Sequence, residues 1–123
     1  MQLACLKDLG RVEFFTKLAE CDRVINDAKH AIGNLDEYMT DKWFDPSILY
    51  APNSHRIMYE PLGVCLIFGS WNYPFGVTLG PLVQAIATGN CAVIKPSEMS
   101  PECSSVMQKL VDQYLDPRCF RVI

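Results

Sequence analysis

The fold is decided by one short stretch of sequence, Gly63-Val64-Cys65-Leu66-Ile67-Phe68-Gly69. An apolar run between two glycines, with no polar residue on either face, is typical of a strand that is covered on both sides in a parallel sheet. A helix is predicted next over residues 78–88, with Thr78 as its N-cap and Gly89-Asn90 as its stop. A second buried strand is predicted over Cys91–Ile94.

The same alternation continues to the last residue. Pro96 ends the second strand, and Ser100 with Pro101 is a typical N-cap and first position of another helix, which runs to about Leu115. Residues 119–123 begin a third strand. The order strand, helix, strand, helix, strand predicts an α/β fold with a doubly wound, Rossmann-like parallel sheet and right-handed connections. Three parallel strands are too few for a complete domain, so we expect an incomplete sheet from a longer protein.

A long helix is predicted over residues 14–39, because apolar side chains recur there at alternating steps of four and three. The stripe consists of Phe14, Leu18, Cys21, Ile25, Ala28, Ile32, Leu35 and Met39. A coiled coil is the alternative, but Cys21 and Ala28 are poor knobs and Gly33-Asn34 weakens the helix, so packing against its own domain is favoured. Gly10 is expected to end a short preceding helix.

Turn signals separate this helix from the predicted sheet. Asp45-Pro46 and Ala51-Pro52 flank the extended stretches Ile48–Tyr50 and Arg56–Tyr59, which predict two hairpin-like strands. The chain therefore divides into an N-terminal helical segment (1–45), a segment of hairpin-like strands (46–61) and a partial βαβαβ unit (62–123).

Composition excludes several classes of function. A net charge of −3 with scattered basic residues argues against a nucleic-acid partner. The longest apolar run is far shorter than the roughly 20 residues of a membrane span, and the N-terminus has no export signal. Six cysteines without a C-x-x-C pair predict reduced thiols in the cytoplasm. His30 and His55 have no clustered ligands nearby in sequence, so no metal site is expected.

Polar side chains follow both buried strands, where ligands bind in open α/β sheets. Asn72 lies between aromatic residues, and its amide is suited to stabilise an oxyanion in a transition state, with capping of its own turn as the alternative. Lys95 and Glu98 are suited to bind the ribose hydroxyls of a dinucleotide, with a solvated ion pair as the alternative. No G-x-G-x-x-G motif or phosphate loop is present. The pattern alone thus predicts part of a nucleotide-binding domain.

The same residues carry a resemblance to a known family. Residues 60–75, with the motif Trp71-Asn72-Tyr73-Pro74, and the later motif Lys95-Pro96-Ser97-Glu98 closely resemble the NAD(P)-dependent aldehyde dehydrogenases, in the class 3 or fatty aldehyde dehydrogenase branch. The N-terminal helices resemble that branch too, so nearly the whole chain is covered. Two such motifs, each after a buried strand, are highly specific. The resemblance implies the aldehyde dehydrogenase fold, whose variant Rossmann domain does without the glycine motif.

The resemblance also implies an activity and a role for each site residue. Members of the family oxidise aldehydes to carboxylic acids through a cysteine thiohemiacetal, with NAD or NADP as the cofactor. Asn72 resembles the amide that stabilises the oxyanion of this thiohemiacetal. Ser70 and Trp71 match the segment beside the nicotinamide half of the cofactor. Lys95 and Glu98 resemble the contacts to the adenosine ribose.

The chain departs from the family in extent. The family's catalytic cysteine and general-base glutamate belong to segments beyond the third strand, so none of the six cysteines is assigned as nucleophile and this chain alone is expected to be inactive. The family's usual first helix is expected to be missing before Met1. A short non-catalytic product that associates with full-length subunits is the alternative function. The resemblance further implies that the hairpin serves a homodimer, and that a C-terminal tail in some relatives allows membrane association.

Overall fold

The computed structural model describes residues 1–45 and 47–123. The N-terminal helical segment follows a nearly continuous helical path after a first short helix. It contains α1 (Gln2–Leu9), α2 (Glu13–Thr16), a π-helical turn (Lys17–Cys21), α3 (Asp22–Gly33) and α4 (Leu35–Met39). The prediction for Gly10 is confirmed, because its φ of 63° is left-handed and its amide bonds to the carbonyl of Leu6 at 3.0 Å.

A two-stranded antiparallel ladder follows. It pairs β1 (Lys42–Phe44) with β2 (His55–Ile57), and Trp43 lies opposite Arg56. The predicted strand over Ile48–Tyr50 is wrong: these residues form a 3-10 turn, closed by a bond of 2.8 Å from the Tyr50 amide to the Ser47 carbonyl. This local hydrogen bond occupies the Tyr50 amide, which would otherwise be available to pair with a neighbouring strand. Of the predicted Asp45-Pro46 turn, Pro46 lies outside the described residues.

The βαβαβ prediction is confirmed. The unit consists of β3 (Val64–Phe68), α5 (Gly76–Ala87), β4 (Cys91–Lys95), α6 (Pro101–Tyr114) and β5 (Phe120–Val122). The three strands are parallel in the order β3-β4-β5. Gly89 ends α5 as predicted, with a positive φ of 74°.

The sheet is covered on one face within the described residues. Ile67, Ala92 and Ile94 are buried in a single core against α5 and α6. On the opposite face Val64 and Phe68 are 71% and 69% exposed, so within residues 1–45 and 47–123 the expectation that β3 is covered on both sides is not met. With strands added sequentially and connections of one hand, both helices fall on the same face.

The helix predicted over residues 14–39 is confirmed as a helical path from Glu13 to Met39 with a turn at Asn34, but its buried face is not the apolar stripe. Phe14, Ile32 and Met39 are 73–76% exposed, whereas Thr16 and Glu20 are fully buried. The π-helical turn adds a residue to one helical turn and so shifts the phase of the stripe. The helical path therefore turns polar residues toward α5.

The predicted cap at Thr78 is wrong and the predicted N-cap position of Ser100 is confirmed, but the capping side chains of both helices come from residues distant in sequence. The helix α5 begins at Gly76 rather than after Thr78, and the buried carboxylate of Glu20 accepts its first amides. Ser100 occupies the N-cap position of α6 without a side-chain cap bond. Asp8 supplies that bond instead, since its carboxylate accepts from the amides of Glu102 and Cys103 at 3.2 and 2.8 Å.

Candidate functional site

Two loops bring the predicted site residues to the carboxyl edge of the sheet. The Gly69 amide donates to the Lys95 carbonyl at 2.9 Å and joins the ends of β3 and β4. The loop after β3 carries Ser70, Trp71 and Asn72, and the loop after β4 carries Lys95, at the strand end, and Glu98. The parallel topology therefore places the two motifs on neighbouring strands, as ligand binding at such an edge requires.

The loop after β3 leaves the sheet through a very close backbone contact. A Cβ atom added at Gly69 would lie 2.0 Å from the Thr78 Oγ1 atom, so only glycine fits here. Thr78 is fully buried in the first turn of α5, and its hydroxyl has no hydrogen-bond partner within the described part of the chain. The close approach packs the start of the site loop directly onto α5.

The Asn72 side chain is oriented by its neighbour. The Ser70 hydroxyl donates to Asn72 Oδ1 at 2.6 Å, and both side chains are exposed. Because the carbonyl end of the amide is taken by this bond, the Nδ2 donor group faces away from it. Trp71 is half exposed beside them. An exposed, oriented N–H donor is the feature that stabilisation of an oxyanion needs.

Two charged residues from the N-terminal helices hold the backbone of this loop. The Arg11 guanidinium donates to the Asn72 carbonyl and to the Glu20 carboxylate, and it lies 4.6 Å from the Tyr73 ring centroid. Glu20 Oε2 accepts from the amides of Phe75 and Gly76 at 2.9 and 2.7 Å. The loop is thus fixed at both ends by one ion pair.

The same contacts close the N-terminus of α5 to other anions. In dinucleotide-binding folds, the helix after the first strand commonly receives the pyrophosphate on its free amides. Here the amides of Phe75 and Gly76 bond to Glu20, and the Val77 amide bonds to the Tyr73 carbonyl at 3.0 Å. Because these amides are already bonded, a phosphate group could not bind to them at this helix end. The absence of a phosphate-binding glycine motif from the sequence agrees with this.

Lys95 and Glu98 border an open cleft at the ends of β4 and β5. Its volume is about 570 Å³, and it is also lined by Ser104, Gln108 and Val122. Lys95 Nζ lies 2.7 Å from Glu98 Oε2 and 3.2 Å from the Pro96 carbonyl oxygen. The hydrogen bond from Lys95 lowers the pKa of the Glu98 carboxyl below its ordinary value. The cleft therefore offers an acceptor that stays ionised to a lower pH than an ordinary carboxyl group, beside the Lys95 donor.

The six cysteines, all free thiols, do not join this edge as a reactive cluster. Cys5 and Cys103 are fully buried, with their sulfurs 3.8 Å apart, and burial raises the pKa of both thiols. Such thiols pack as small apolar groups. Over residues 1–45 and 47–123, no group of three potential metal ligands converges. None of the helices in that part of the chain is long and apolar enough to cross a bilayer.

Sequence reasoning missed Arg11 and Glu20. The local pattern showed only charged residues around the predicted helix, which usually face solvent. A signal was present in the Leu9-Gly10-Arg11 turn, because a left-handed glycine redirects the chain and aims the next residue away from the helix axis. Its target could not be read locally, since Asn72 lies 61 residues further along the chain.

Comparison with known proteins identifies the chain. The model of the family described as "Aldehyde dehydrogenase family" matches residues 4–123. The chain belongs to the aldehyde dehydrogenase family.

Its relatives include members of family 3, as the two motifs indicated. Aldehyde dehydrogenase family 3 member H1 from Arabidopsis thaliana is 40% identical over 116 residues, which are 94% of this chain and 24% of that protein. The substrate-bound structure of Staphylococcus aureus AldH superposes with a TM-score of 0.95 at 33% identity, over 98% of this chain and 26% of the other. The chain thus spans about a quarter of the length of these relatives.

A more distant structure shares the fold. Succinic semialdehyde dehydrogenase from Streptococcus pyogenes, solved in complex with NADP+, has a TM-score of 0.85 at 17% identity, over 99% of this aldehyde dehydrogenase chain and 26% of the other. The predicted α/β class and parallel sheet of the aldehyde dehydrogenase fold are confirmed by these superpositions.

Proposed function

We propose that this chain carries the oxyanion-stabilising amide and the cofactor's ribose contacts of an NAD(P)-dependent aldehyde dehydrogenase. The observation that supports the proposal best is the Ser70–Asn72 bond of 2.6 Å, which orients the exposed amide at the carboxyl edge of β3. The neighbouring strand carries a charged pair suited to ribose.

The chemistry of the donor set fits a dinucleotide. Glu98 accepts hydrogen bonds from hydroxyl groups, and Lys95 holds its carboxylate ionised. When bound, NAD or NADP accepts the hydride that leaves the aldehyde carbon. Lys95 and Glu98 would hold its adenosine ribose, while Ser70 and Trp71 would border the nicotinamide half. The proposal covers both NAD and NADP, and succinic semialdehyde dehydrogenase from Streptococcus pyogenes, which shares the fold, was solved in complex with NADP+.

In this proposal Asn72 acts on the reacting oxygen. A cysteine thiolate from a segment outside residues 1–123 attacks the aldehyde carbon. This attack forms a carbon–sulfur bond and moves the carbonyl electron pair onto oxygen. The Asn72 Nδ2 group donates to this oxyanion, and stabilisation of the charge lowers the barrier. Return of this electron pair to the carbon would expel hydride, which the bound NAD or NADP would accept, and leave a thioester on the cysteine. Water then hydrolyses the thioester, which releases the acid and restores the thiolate. Ser70 holds the amide in the donating orientation throughout.

The experiment begins with the reading frame. The codons after that for Ile123 are sequenced, and the polypeptide is expressed as the frame encodes it. Formation of NADH or NADPH is then measured with short and long aldehydes. Removal of one oxyanion donor lowers kcat by about 100- to 1000-fold, so Asn72→Ala is expected to lose activity on that scale. Asn26→Ala, on the exposed side of α3, is the matched control. Unchanged kcat in Asn72→Ala would contradict the proposal.

Association with other subunits is the second candidate. It is supported by the exposure of Ile48 and Leu49, which are 88% and 86% exposed in the 3-10 turn between β1 and β2. We propose the β1–β2 pair and this turn as the dimer element. If the frame ends after Ile123, we expect no NAD(P)H above blank and a discrete complex with longer subunits in size-exclusion chromatography. The free thiols agree with the cytosol as the compartment.

A further inference from the structure

The Arg11–Glu20 ion pair lies outside the predicted site yet contacts its loop directly. Gly10 redirects the chain at the end of α1, and the Arg11 amide bonds back to the Cys5 carbonyl at 3.3 Å. The guanidinium then reaches the Asn72 carbonyl, the Tyr73 ring and the Glu20 carboxylate. A planar group with several fixed donors makes such contacts simultaneously, which a lysine cannot do.

Glu20 is the more unusual member of the pair. Its side chain is 0% exposed, whereas the Arg11 side chain is 15% exposed. A buried carboxylate is costly unless every oxygen is paired, and here Oε1 pairs with Arg11 while Oε2 accepts two backbone amides. Replacing a buried ion pair by apolar residues is often neutral for stability. A role in geometry therefore explains the pair better than a contribution to stability.

The contacts fall on the backbone at both ends of one short segment. Arg11 holds the carbonyl of Asn72, and Glu20 holds the amides of Phe75 and Gly76. These backbone contacts fix the position of the Asn72 Cα atom, and none of them involves the side-chain amide of Asn72. The side chain is left exposed, with its own orientation set by Ser70. Position and orientation of the amide are thus controlled by different residues.

We propose that Arg11 and Glu20 are positioning residues for Asn72, which fix the backbone from 72 to 76 so that the amide meets the oxyanion. The inference rests on the proposed function. A displacement of about 1 Å at a reacting centre lowers the rate by up to about 100-fold. Loss of Arg11 leaves Glu20 Oε1 without this partner and lowers stability, but the Oε2 bonds to the Phe75 and Gly76 amides still hold the other end of the loop. It is expected to lower kcat about tenfold and to change KM less than about twofold.

A double-mutant cycle separates positioning from general stabilisation. The protein is expressed as its full reading frame encodes it, with Arg11→Met, Asn72→Ala and the double variant. If Arg11 acts through Asn72, Arg11→Met lowers kcat about tenfold alone and less than about twofold in the Asn72→Ala background. Arg11→Lys, which keeps the charge but loses the planar fork, is expected to fall in between. A tenfold loss in both backgrounds would overturn the proposal.

Hydrogen exchange provides a readout that does not depend on activity. Glu20→Gln is expected to accelerate amide exchange at Phe75 and Gly76, while Glu13→Gln, an exposed residue of α2, leaves it unchanged. Unchanged exchange in both variants overturns the role of Glu20. Wild-type kcat in Asn72→Ala overturns the proposed function instead, and hydrogen exchange then still shows whether the pair holds the loop.

Discussion

Replacement of Gly69 by alanine tests how tightly the site loop is packed onto α5. The added Cβ would lie 2.0 Å from Thr78 Oγ1, 3.2 Å from its Cβ and 3.3 Å from its Cγ2. Since non-bonded heavy atoms are most stable about 3.5 Å apart, one of the groups must move by more than about 1 Å. Overpacking of this kind costs typically about 1–3 kcal/mol. We expect Gly69→Ala near the upper end, because the contact lies against a fully buried side chain.

Thr78→Ala should relieve the clash without a large cost of its own. Loss of a buried methyl group costs about 0.8 kcal/mol, but the hydroxyl lacks a partner within the described residues, so its removal ends an unfavourable burial. In the double variant the nearest contact becomes the Cβ atom of residue 78 at 3.2 Å, which small shifts accommodate. We therefore expect the two substitutions to couple by at least about 1 kcal/mol.

The assay is urea unfolding of the four proteins of the cycle, followed by tryptophan fluorescence and circular dichroism. Gly33→Ala is the matched control, because no atom lies within 4 Å of its added Cβ and the residue ends α3. That variant is expected to gain about 0.5–1 kcal/mol. If Gly69→Ala is as stable as Gly33→Ala, or if Thr78→Ala brings no relief, the reasoning from the close contact is refuted.

Three further predictions concern caps, charge and thiols. Asp8→Ala removes the cap of α6 and should lower the free energy of unfolding, measured by urea denaturation, by about 1 kcal/mol, whereas Asp8→Asn should lower it less. If Asp8→Ala is as stable as the unchanged protein, Asp8 does not cap α6. The hydrogen bond from Lys95 lowers the pKa of the Glu98 carboxyl. The stabilisation that the ionised Glu98 side chain gains from Lys95 is therefore complete above the ordinary carboxyl pKa, and it is lost only as pH falls through the lowered pKa. Calorimetric binding of NAD+ and NADP+ should therefore be insensitive to Glu98 ionisation near neutral pH, and Glu98→Gln should weaken it roughly tenfold or more. Burial raises the pKa of the Cys5 and Cys103 thiols, so iodoacetamide at pH 8 should leave both unlabelled in the native state and label both in urea. Mass spectrometry of the peptides measures the labelling, and native labelling of either thiol would contradict its burial.

The strands and helices of the βαβαβ unit could be predicted because their signals are local. An apolar run between Gly63 and Gly69, a stop at Gly89 and a proline at position 101 each act within a few residues of the element that they delimit. The parallel order then follows from the alternation of elements. The site loops could be located for the same reason, since they follow directly from the strand ends.

The packing of the N-terminal helices could not be predicted from periodicity. A prediction from hydrophobic periodicity assumes that the apolar side of a helix is the buried side. Here, however, polar residues of the helical path face α5, since Glu20 lies close to Gly76 and Asp27 lies close to Gly80. A π-helical turn, for which the apolar pattern held no signal, further changes the phase. The apolar residues that remain exposed leave a surface at Ile32, where Ala28, Val83 and other apolar side chains line a shallow groove of about 240 Å³.

The start of each helix in the βαβαβ unit depends on a residue from the first 20 of the chain. Asp8 caps α6, Glu20 accepts the first amides of α5, and Arg11 links Glu20 to the site loop. Local sequence had assigned both caps to Thr78 and Ser100, whose hydroxyls were the obvious candidates. Because these contacts come from elsewhere in the chain, the position of the Asn72 loop is set by docking of the N-terminal helices. The segment predicted as 1–45 and the unit predicted as 62–123 therefore stabilise each other, and a change at the N-terminus reaches Asn72 through hydrogen bonds to its own backbone.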